Sequence, residues 1–280
     1  MSGTLFVVAT PIGNLEDVTF RALRVLREVA LIAAEDTRRT SKLLQHYSIS
    51  TPTTSLHEHN ERNKSAHLIA RLLAGESIAL VSDAGTPLVA DPGAALVSAA
   101  HAAGIRVDPI PGPSALVAAL SASGFRADLV HFAGFPPAKG TPRRLWFDRV
   151  RQLTGLLVLY EAPHRIRDTL EELLAAAGDV PAAIGRELTK VHESLVIRLI
   201  SKHLSSPLSD KGEYTIVVRL AATETPSVPL PSDEELWVEF GHLSKNGPAA
   251  RKEYVRRLAR KYGVTTREVY SRLERAKNSG

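Results

Sequence analysis

Residues 78–122 read IALVSDAGTPLVADPGAALVSAAHAAGIRVDPIPGPSALVAALSA. A short apolar run, Ile78–Ser82, stops at a loop rich in Gly, Pro and small polar residues. An Ala-rich helical pattern follows over about 92–103, then a second β-branched run, Arg106–Ile110, a second Gly-Pro loop, and a helical pattern over about 113–122. Strand, crossover helix and strand in this order form one βαβ unit, and such units build parallel sheets. Upstream, strand candidates at Leu5–Thr10, Leu31–Ala34 and Thr53–His57 alternate with helical patterns at about 17–29, 38–46 and 60–74. In the first of these helices Phe20, Leu23, Val25 and Leu26 point to a core while Arg21, Arg24 and Arg27 lie opposite.

After Gly124 the pattern changes. Strands are expected at 129–133, 155–160, 181–187, 194–200 and 213–220, with helices at about 141–152 and 164–177. The last two runs, Leu195–Ile200 and Tyr214–Leu220, have no helix of typical length between them, so they read as antiparallel neighbours in a mixed sheet. The chain therefore divides into an N-terminal α/β domain (1–122) and a second α/β domain (123–222). A Pro-rich linker (223–231) and a helical extension (232–280) follow. In the extension Ser232 and Glu235 have the spacing of a capping box. Helices at 247–261 and 265–276, the second capped by Thr265 or Thr266, are separated by a turn around Gly263 and resemble a helix-turn-helix.

Composition narrows the chemistry. The 280 residues contain no Cys, which removes disulfides, thiolate zinc sites, iron–sulfur clusters and thiol nucleophiles. Residues 241–280 carry eleven Lys/Arg against three Glu, a local charge of +8, whereas the other 240 residues sum to −3. A basic tail on a near-neutral body points to a polyanion, nucleic acid first. The longest stretch free of charged residues, 109–125, is broken by Pro109, Pro111 and Pro113 and cannot span a bilayer, and the N-terminus has no basic leader. The expected location is the cytoplasm.

Four loops of Gly, Pro and small polar residues follow strands: Ala9–Asp17, Val81–Gly93, Pro109–Ala115 and Ala133–Pro137. In open α/β sheets ligands sit outside the carboxyl ends of strands, where these loops gather. Gly85 and Gly112 permit close backbone approach, and the helix opening at Ser114 or Pro113 favours a carboxylate or phosphate at its N-terminus. Neither Gly-x-Gly-x-x-Gly nor Gly-x4-Gly-Lys-Ser/Thr occurs, so dinucleotide and P-loop readings lose their support.

Several stretches together carry a resemblance. They are Val8-Ala-Thr-Pro-Ile-Gly-Asn-Leu15, Ala34-Glu-Asp-Thr-Arg38, Leu80–Pro87 with Asp91-Pro-Gly93, Pro111–Ala115, Ala133–Pro137, Tyr160–Arg165, Arg186–Lys190 with His192-Glu193, and Lys211–Tyr214. In this order, across residues 4–220, they resemble the ribosomal RNA small subunit methyltransferase I group. These are tetrapyrrole-methylase-like enzymes that methylate a cytidine 2′-hydroxyl in 16S rRNA. The resemblance implies two α/β domains, S-adenosylmethionine bound between them, a homodimer, and the 30S subunit as partner. It implies cofactor contacts from Thr10, Pro11 and Gly13, from Ser82, Asp83, Ala84, Gly85, Thr86 and Pro87, and from Pro111, Gly112, Ser114 and Ala115. Gly134, Phe135 and Pro136 would close from the second domain.

Methyl transfer to a hydroxyl requires in-line alignment and an acceptor for the proton. Glu35, Asp36 and Arg38, at a strand's carboxyl end, are the candidate catalytic group, with Asp36 first as base; the alternative is that Asp36 merely caps the next helix. Arg38, Arg39, His164 and Arg165 are candidate RNA contacts, with Glu161 beside the last two. So are Arg251, Lys252, Arg256, Arg257 and Arg260 in the tail, where Lys261 continues the basic face. His57-Glu-His59 places two imidazoles on one strand face but lacks a third ligand, so no metal is expected. A tetrapyrrole-precursor methylase shares the implied fold and cofactor but leaves Ala34–Arg38 and the basic tail unexplained. A helix-turn-helix regulator leaves about 220 residues without purpose. Truncation at Pro231 is expected to weaken rRNA binding and its salt dependence while cofactor affinity holds. Filter binding over a salt series checks this, and unchanged rRNA affinity defeats the assignment of the tail.

Overall fold

β2 (Leu31–Ala34) is buried at every residue, and so is β4 (Ile78–Val81). A strand buried on both sides must have a layer of structure on each face. In a computed structural model, which describes residues 2–126, 128–220, 231–243, 254–255, 258–259, 261–262 and 264–279, both strands lie inside a five-stranded parallel sheet. The others are β1 (Thr4–Val8), β3 (Thr53–Ser55) and β5 (Arg106–Ile110), and the order is β3-β2-β4-β1-β5. Side chains alternate between the faces. Ile32, Ala34, Ala79 and Val81 pack with α1 (Phe20–Glu28) and α2 (Thr37–His46); Leu31, Ala33, Ile78 and Leu80 pack with α3 (Glu61–Leu73) and α4 (Ala94–Ala102). The first two connections step one way along the sheet and the next two step back, so right-handed crossovers place their helices on opposite faces.

The expected elements of this half are present within a few residues, with two corrections. Phe20, expected to face the core, is 93% exposed at the first turn of α1, which packs through Ala22, Val25 and Leu26. β3 is shorter than expected: it ends at Ser55 and does not reach His57. Asn60 Oδ1 accepts from His57 N (2.9 Å) and Asn60 N donates to His57 O (3.0 Å), closing a turn that leads into α3. His57 and His59 therefore sit in a turn, not on one strand face.

The second sheet contains β6 (Val130–Phe132), β7 (Gly155–Glu161), β8 (Pro181–Arg186), β9 (Ser194–Leu199) and β10 (Tyr214–Leu220), in the order β6-β7-β10-β8-β9. Only β6 and β7 are parallel; the other pairs are antiparallel. β9 and β10 are not neighbours, contrary to the sequence expectation, because β8 lies between them. Residues 200–213 are too long for a tight hairpin. They form a short helix, α8 (Ile200–Leu204), whose Ile200 and His203 are buried, before the chain returns to the sheet centre.

One face of this sheet packs on α6 (Gly140–Val150) and α7 (Ile166–Ala177) through Phe147, Ile166, Leu170 and Leu173. The opposite face, with Leu156, Val158, Ala183 and Val217, receives Ala119 of α5 (Ala115–Ala122), which is fully buried. α5 thus follows the last strand of the first sheet in sequence but seats its apolar side on the second.

In the tail, which forms a unit of its own, α9 (Asp233–Leu243) starts with the expected reciprocal box. Glu235 N donates to Ser232 Oγ (3.2 Å) and Ser232 N to Glu235 Oε2 (2.8 Å). Thr265 Oγ1 caps α10 (Thr266–Ser279) by accepting from Glu268 N (3.1 Å). Leu236, Phe240, Leu258, Tyr262, Val269 and Leu273 form its core. Lys261 pairs with Glu239 (2.6 Å), while Arg272 and Arg275 converge on Asp233. Arg251, Lys252, Arg256, Arg257 and Arg260 lie outside the described residues, as do most of the expected 247–261 helix and residues 223–230 of the linker. Among the described residues no helix is long and apolar enough to cross a membrane. Replacing Ala119 with Leu is expected to destabilise the protein by about 1–3 kcal/mol through overpacking of a filled interface, read as a lower urea midpoint with an unchanged m-value.

Candidate active site

The loops that leave β1 and β4 are joined by two backbone hydrogen bonds. Thr10 N donates to Gly85 O (2.8 Å) and Gly85 N to Thr10 O (2.9 Å). The strands stand side by side while their crossovers run in opposite directions, and a crevice opens at their carboxyl ends. Thr10 Oγ1 reaches Ser82 O (3.3 Å) and Thr86 Oγ1 reaches Pro113 O (3.1 Å), tying the third loop to the second. Gly85 has φ +82°, a left-handed conformation, and a Cβ at Gly112 would stand 3.0 Å from Ala9 Cβ. The glycines let these backbones close up.

From the second sheet, the Gly134–Pro137 loop, the end of β7, Leu188 and the start of β10 face these loops. The cleft between them has a volume of about 420 Å³, inside the roughly 300–1,000 Å³ range of small-molecule sites. Of the residues expected from sequence, Glu35, Arg39, Asp83, Ala84, Gly85, Thr86, Ser114, Ala115 and Phe135 line it. Thr10 and Ser82 are buried in the loop junction beneath. Pro11, Gly13, Pro87, Pro111, Gly112, Gly134 and Pro136 shape the same loops without forming its wall. Ile12, from the expected Thr10–Gly13 loop, lines it too, whereas sequence reasoning missed Val89, Ala90, Asp91, Tyr160, Leu188 and Tyr214–Thr215. Asp91 had a signal: it is the lone carboxylate after the apolar stretch Leu88-Val-Ala.

Acids dominate the electrostatics. Asp83 Oδ1 accepts from Asp36 N (2.9 Å), Glu35 Oε2 from Asp83 N (3.3 Å), and Arg39 Nη1 stands 3.4 Å from Asp83 Oδ2. Burial, and then the nearby Asp83 and Asp36 charges, raise the Glu35 carboxyl above its ordinary range, although the Asp83 backbone bond and Arg39 pull it down. Asp91 is pushed up to about 6, first by burial and then by Glu35 and Asp83, against a hydrogen bond from Ser82. Tyr160, whose hydroxyl accepts from Leu116 N (3.2 Å), is also raised by burial.

Asp36 is differently placed. Its Oδ1 accepts from Arg38 N (2.9 Å), capping α2, and its carboxylate takes a forked pair of bonds from the Arg38 guanidinium at 3.0 and 2.7 Å. These bonds hold it down at about 2, which leaves a weak proton acceptor. Neither Asp36 nor Arg38 lines the cleft; Arg39 does.

Arg165 is committed inside the protein. Its Nη2 lies 2.5 Å from Glu161 Oε1 and its Nη1 donates to Pro136 O (3.3 Å). The buried Glu161 also accepts from Thr169 Oγ1 (2.5 Å), and Arg143 bonds both Thr169 Oγ1 (2.8 Å) and Pro137 O (3.0 Å). Two guanidinium groups thereby hold the Phe135 loop at the cleft edge. Arg165 thus tethers that loop; His164 is exposed in the turn at 163–165. Nε2 of His57 faces the Asn60 amide (3.0 Å).

The sequence profile described as Tetrapyrrole (Corrin/Porphyrin) Methylases matches residues 4–203. The chain belongs to this family. Proteins named Ribosomal RNA small subunit methyltransferase I are similar to it nearly end to end. One from Halalkalibacterium halodurans is 41% identical over 96% of this chain and 94% of its own, and one from Synechocystis 43% over 96% of each. That of Pseudomonas aeruginosa is 53% identical over 78% of this chain and 79% of its own. Among solved structures, a diphthine synthase superposes with a TM-score of 0.61 at 17% identity over 78% of this chain and 90% of that one. A uroporphyrin-III-C-methyltransferase of Thermus thermophilus gives 0.55 at 22% over 79% and 93%. These last two share the fold. The chain is a methyltransferase.

Asp91 yields a sign-definite test. Its folded value lies above the ordinary 3.8. The stability tied to its bound proton is complete below about pH 4 and is lost as pH rises through about 6. Asp91→Asn is expected to stabilise the protein on the order of 1 kcal/mol at pH 8, allowing for solvent screening of a half-buried group, and to change little at pH 4. Paired thermal melts check this.

Proposed function

We propose that this tetrapyrrole-methylase-family protein transfers the methyl group of S-adenosylmethionine to the ribose 2′-hydroxyl of a cytidine in 16S rRNA, on the 30S subunit. The observation that carries the reading is near-full-length similarity to proteins named for methylating small-subunit ribosomal RNA. The acid-lined cleft supports the cofactor. S-adenosylmethionine carries a cationic sulfonium and an ammonium group, and Glu35, Asp83 and Asp91 supply the opposite sign. Backbone groups of Ala84–Thr86 and Ser114–Ala115 would hold it from the first sheet, with Phe135 from the second. When bound it supplies an electrophilic methyl group.

The protein's own part is to align the hydroxyl behind that methyl carbon and to receive a proton. Glu35 is the better base. It faces the cleft with a raised carboxyl, whereas Asp36 is occupied by Arg38. Its proton affinity is sustained by burial and by neighbouring carboxylates, as a base working near neutrality requires. Arg39, at the same wall, would take an RNA phosphate, and Arg38, His164 and the basic tail (Arg251, Lys252, Arg256, Arg257, Arg260) would supply the other RNA contacts. The reading includes domains at 1–122 and 123–222, a homodimer in the cytoplasm, and no metal.

Tritium transfer from S-adenosylmethionine into 30S subunits, naked 16S rRNA or a tetrapyrrole precursor tests the substrate. Label in the ribose of 16S rRNA is expected, and label in the tetrapyrrole alone would overturn the proposal. Glu35→Gln is expected to lower turnover about 10²–10⁴-fold, well beyond any loss of cofactor affinity from removing one of three acids, and Asp36→Asn to cost less than tenfold. The reverse ranking would return the base to Asp36. In the wild type, kcat is expected to fall on the acid side as the Glu35 carboxylate protonates, and stopped assays from pH 5 to 9 read that limb.

A further inference from the structure

A second, smaller cavity of about 170 Å³ lies at the β8–β9 edge, roofed by residues 206–209. Its wall contains Arg186, Arg198, Ser194, Ser206, Ser209 and Tyr214, and no carboxylate. It is below the size of a site for a drug-like molecule and suits a single phosphate group. Arg186 spends its Nε on Lys211 O (2.9 Å), and Arg198 its Nη1 on Ser206 Oγ (2.8 Å). Among the described residues neither guanidinium is in an ion pair. The adjacent acid, Glu187, is engaged by Lys190 Nζ and Glu213 N, both at 2.9 Å, and Asp210 is exposed. Two partly buried guanidinium groups (each with five N–H donors) therefore retain donors without an anionic partner.

This pocket and the methyl-transfer cleft share one wall residue, Tyr214. At this end of the sheet Glu161, Tyr214, Arg186 and Ser194 stand in one cross-strand row, so Arg186 lies two strand spacings, about 10 Å, from Glu161 in the cleft wall. That is the scale of a nucleotide step along an RNA strand.

We propose that Arg186 and Arg198 form a phosphate-binding subsite that holds a backbone phosphodiester of the RNA strand whose ribose enters the cleft. This rests on the RNA reading above. Guanidinium forks match phosphate oxygens geometrically, and such an interaction fixes the register of the strand without reading its bases.

The test uses the full-length protein and naked 16S rRNA, with binding measured over a salt series for the wild type and for Arg186→Gln/Arg198→Gln. The double variant is expected to bind at least tenfold more weakly at low salt. The slope of log affinity against log salt should become shallower by about 0.7 for each single-strand phosphate that the variant no longer neutralises. S-adenosylmethionine affinity and the melting temperature should match the wild type, and Arg186→Lys/Arg198→Lys should recover part of the affinity. Unchanged RNA affinity and slope overturn the proposal, as does an equal fall in cofactor affinity. Inorganic phosphate provides the other arm: if its phosphorus resonance broadens with the wild type and not with the variant while RNA binding is unaltered, the site serves a free anion and the RNA assignment falls. Binding is read without turnover, so a wild type that binds rRNA but transfers no methyl group to it refutes the proposed function and leaves this inference standing.

Discussion

Two backbone hydrogen bonds between Thr10 and Gly85 hold together the loops on which the active cleft depends. They fix the spacing of the β1 and β4 exits, and the remaining loops are referenced to that junction through Thr10–Ser82 and Thr86–Pro113. The geometry requires a residue that accepts φ +82° at position 85 and no side chain between Gly112 and Ala9. The Gly-Pro loops therefore serve a steric demand first. They bring main-chain groups close to where a ligand lies, and the buried strands beneath supply the rigidity that makes those positions reproducible.

Charge is then placed against that frame. Glu35, Asp83 and Asp91 come from loops after two different strands and share one half-buried volume, with Arg39 at its rim. Burial first, and then this crowding, raises two of the acids above their ordinary range, while Asp36, one residue from Glu35, is drawn down by the arginine it caps against. Adjacent residues of the same chemistry thus acquire opposite acidities because one faces the cleft and the other the end of a helix.

Much of this was legible in the sequence because buried parallel strands appear as short apolar runs and the loops after them as Gly-Pro punctuation. Leu31–Ala34 and Arg106–Ile110 could be read to the residue. What escaped were features created by convergence. β8 inserts between β9 and β10 because residues 200–213 cross a face, and spacing alone cannot distinguish that from a return to the nearest edge. Arg165 reads as a surface cation until the buried Glu161 beneath it is seen. Asp91 reads only as part of the Val81–Gly93 loop until Glu35 is found near it.

The position of α5 has a consequence for biosynthesis. Leu116, Ala119 and Leu120 belong to a core whose other half runs from Leu156 to Val217, so its last strand is encoded about a hundred residues later. As the chain leaves the ribosome, the first sheet can close with both faces covered while α5 still presents a bare apolar side. The nascent protein thus passes through a stage in which one finished layer carries a sticky helix awaiting its sheet, and during that interval aggregation and chaperone capture compete with folding.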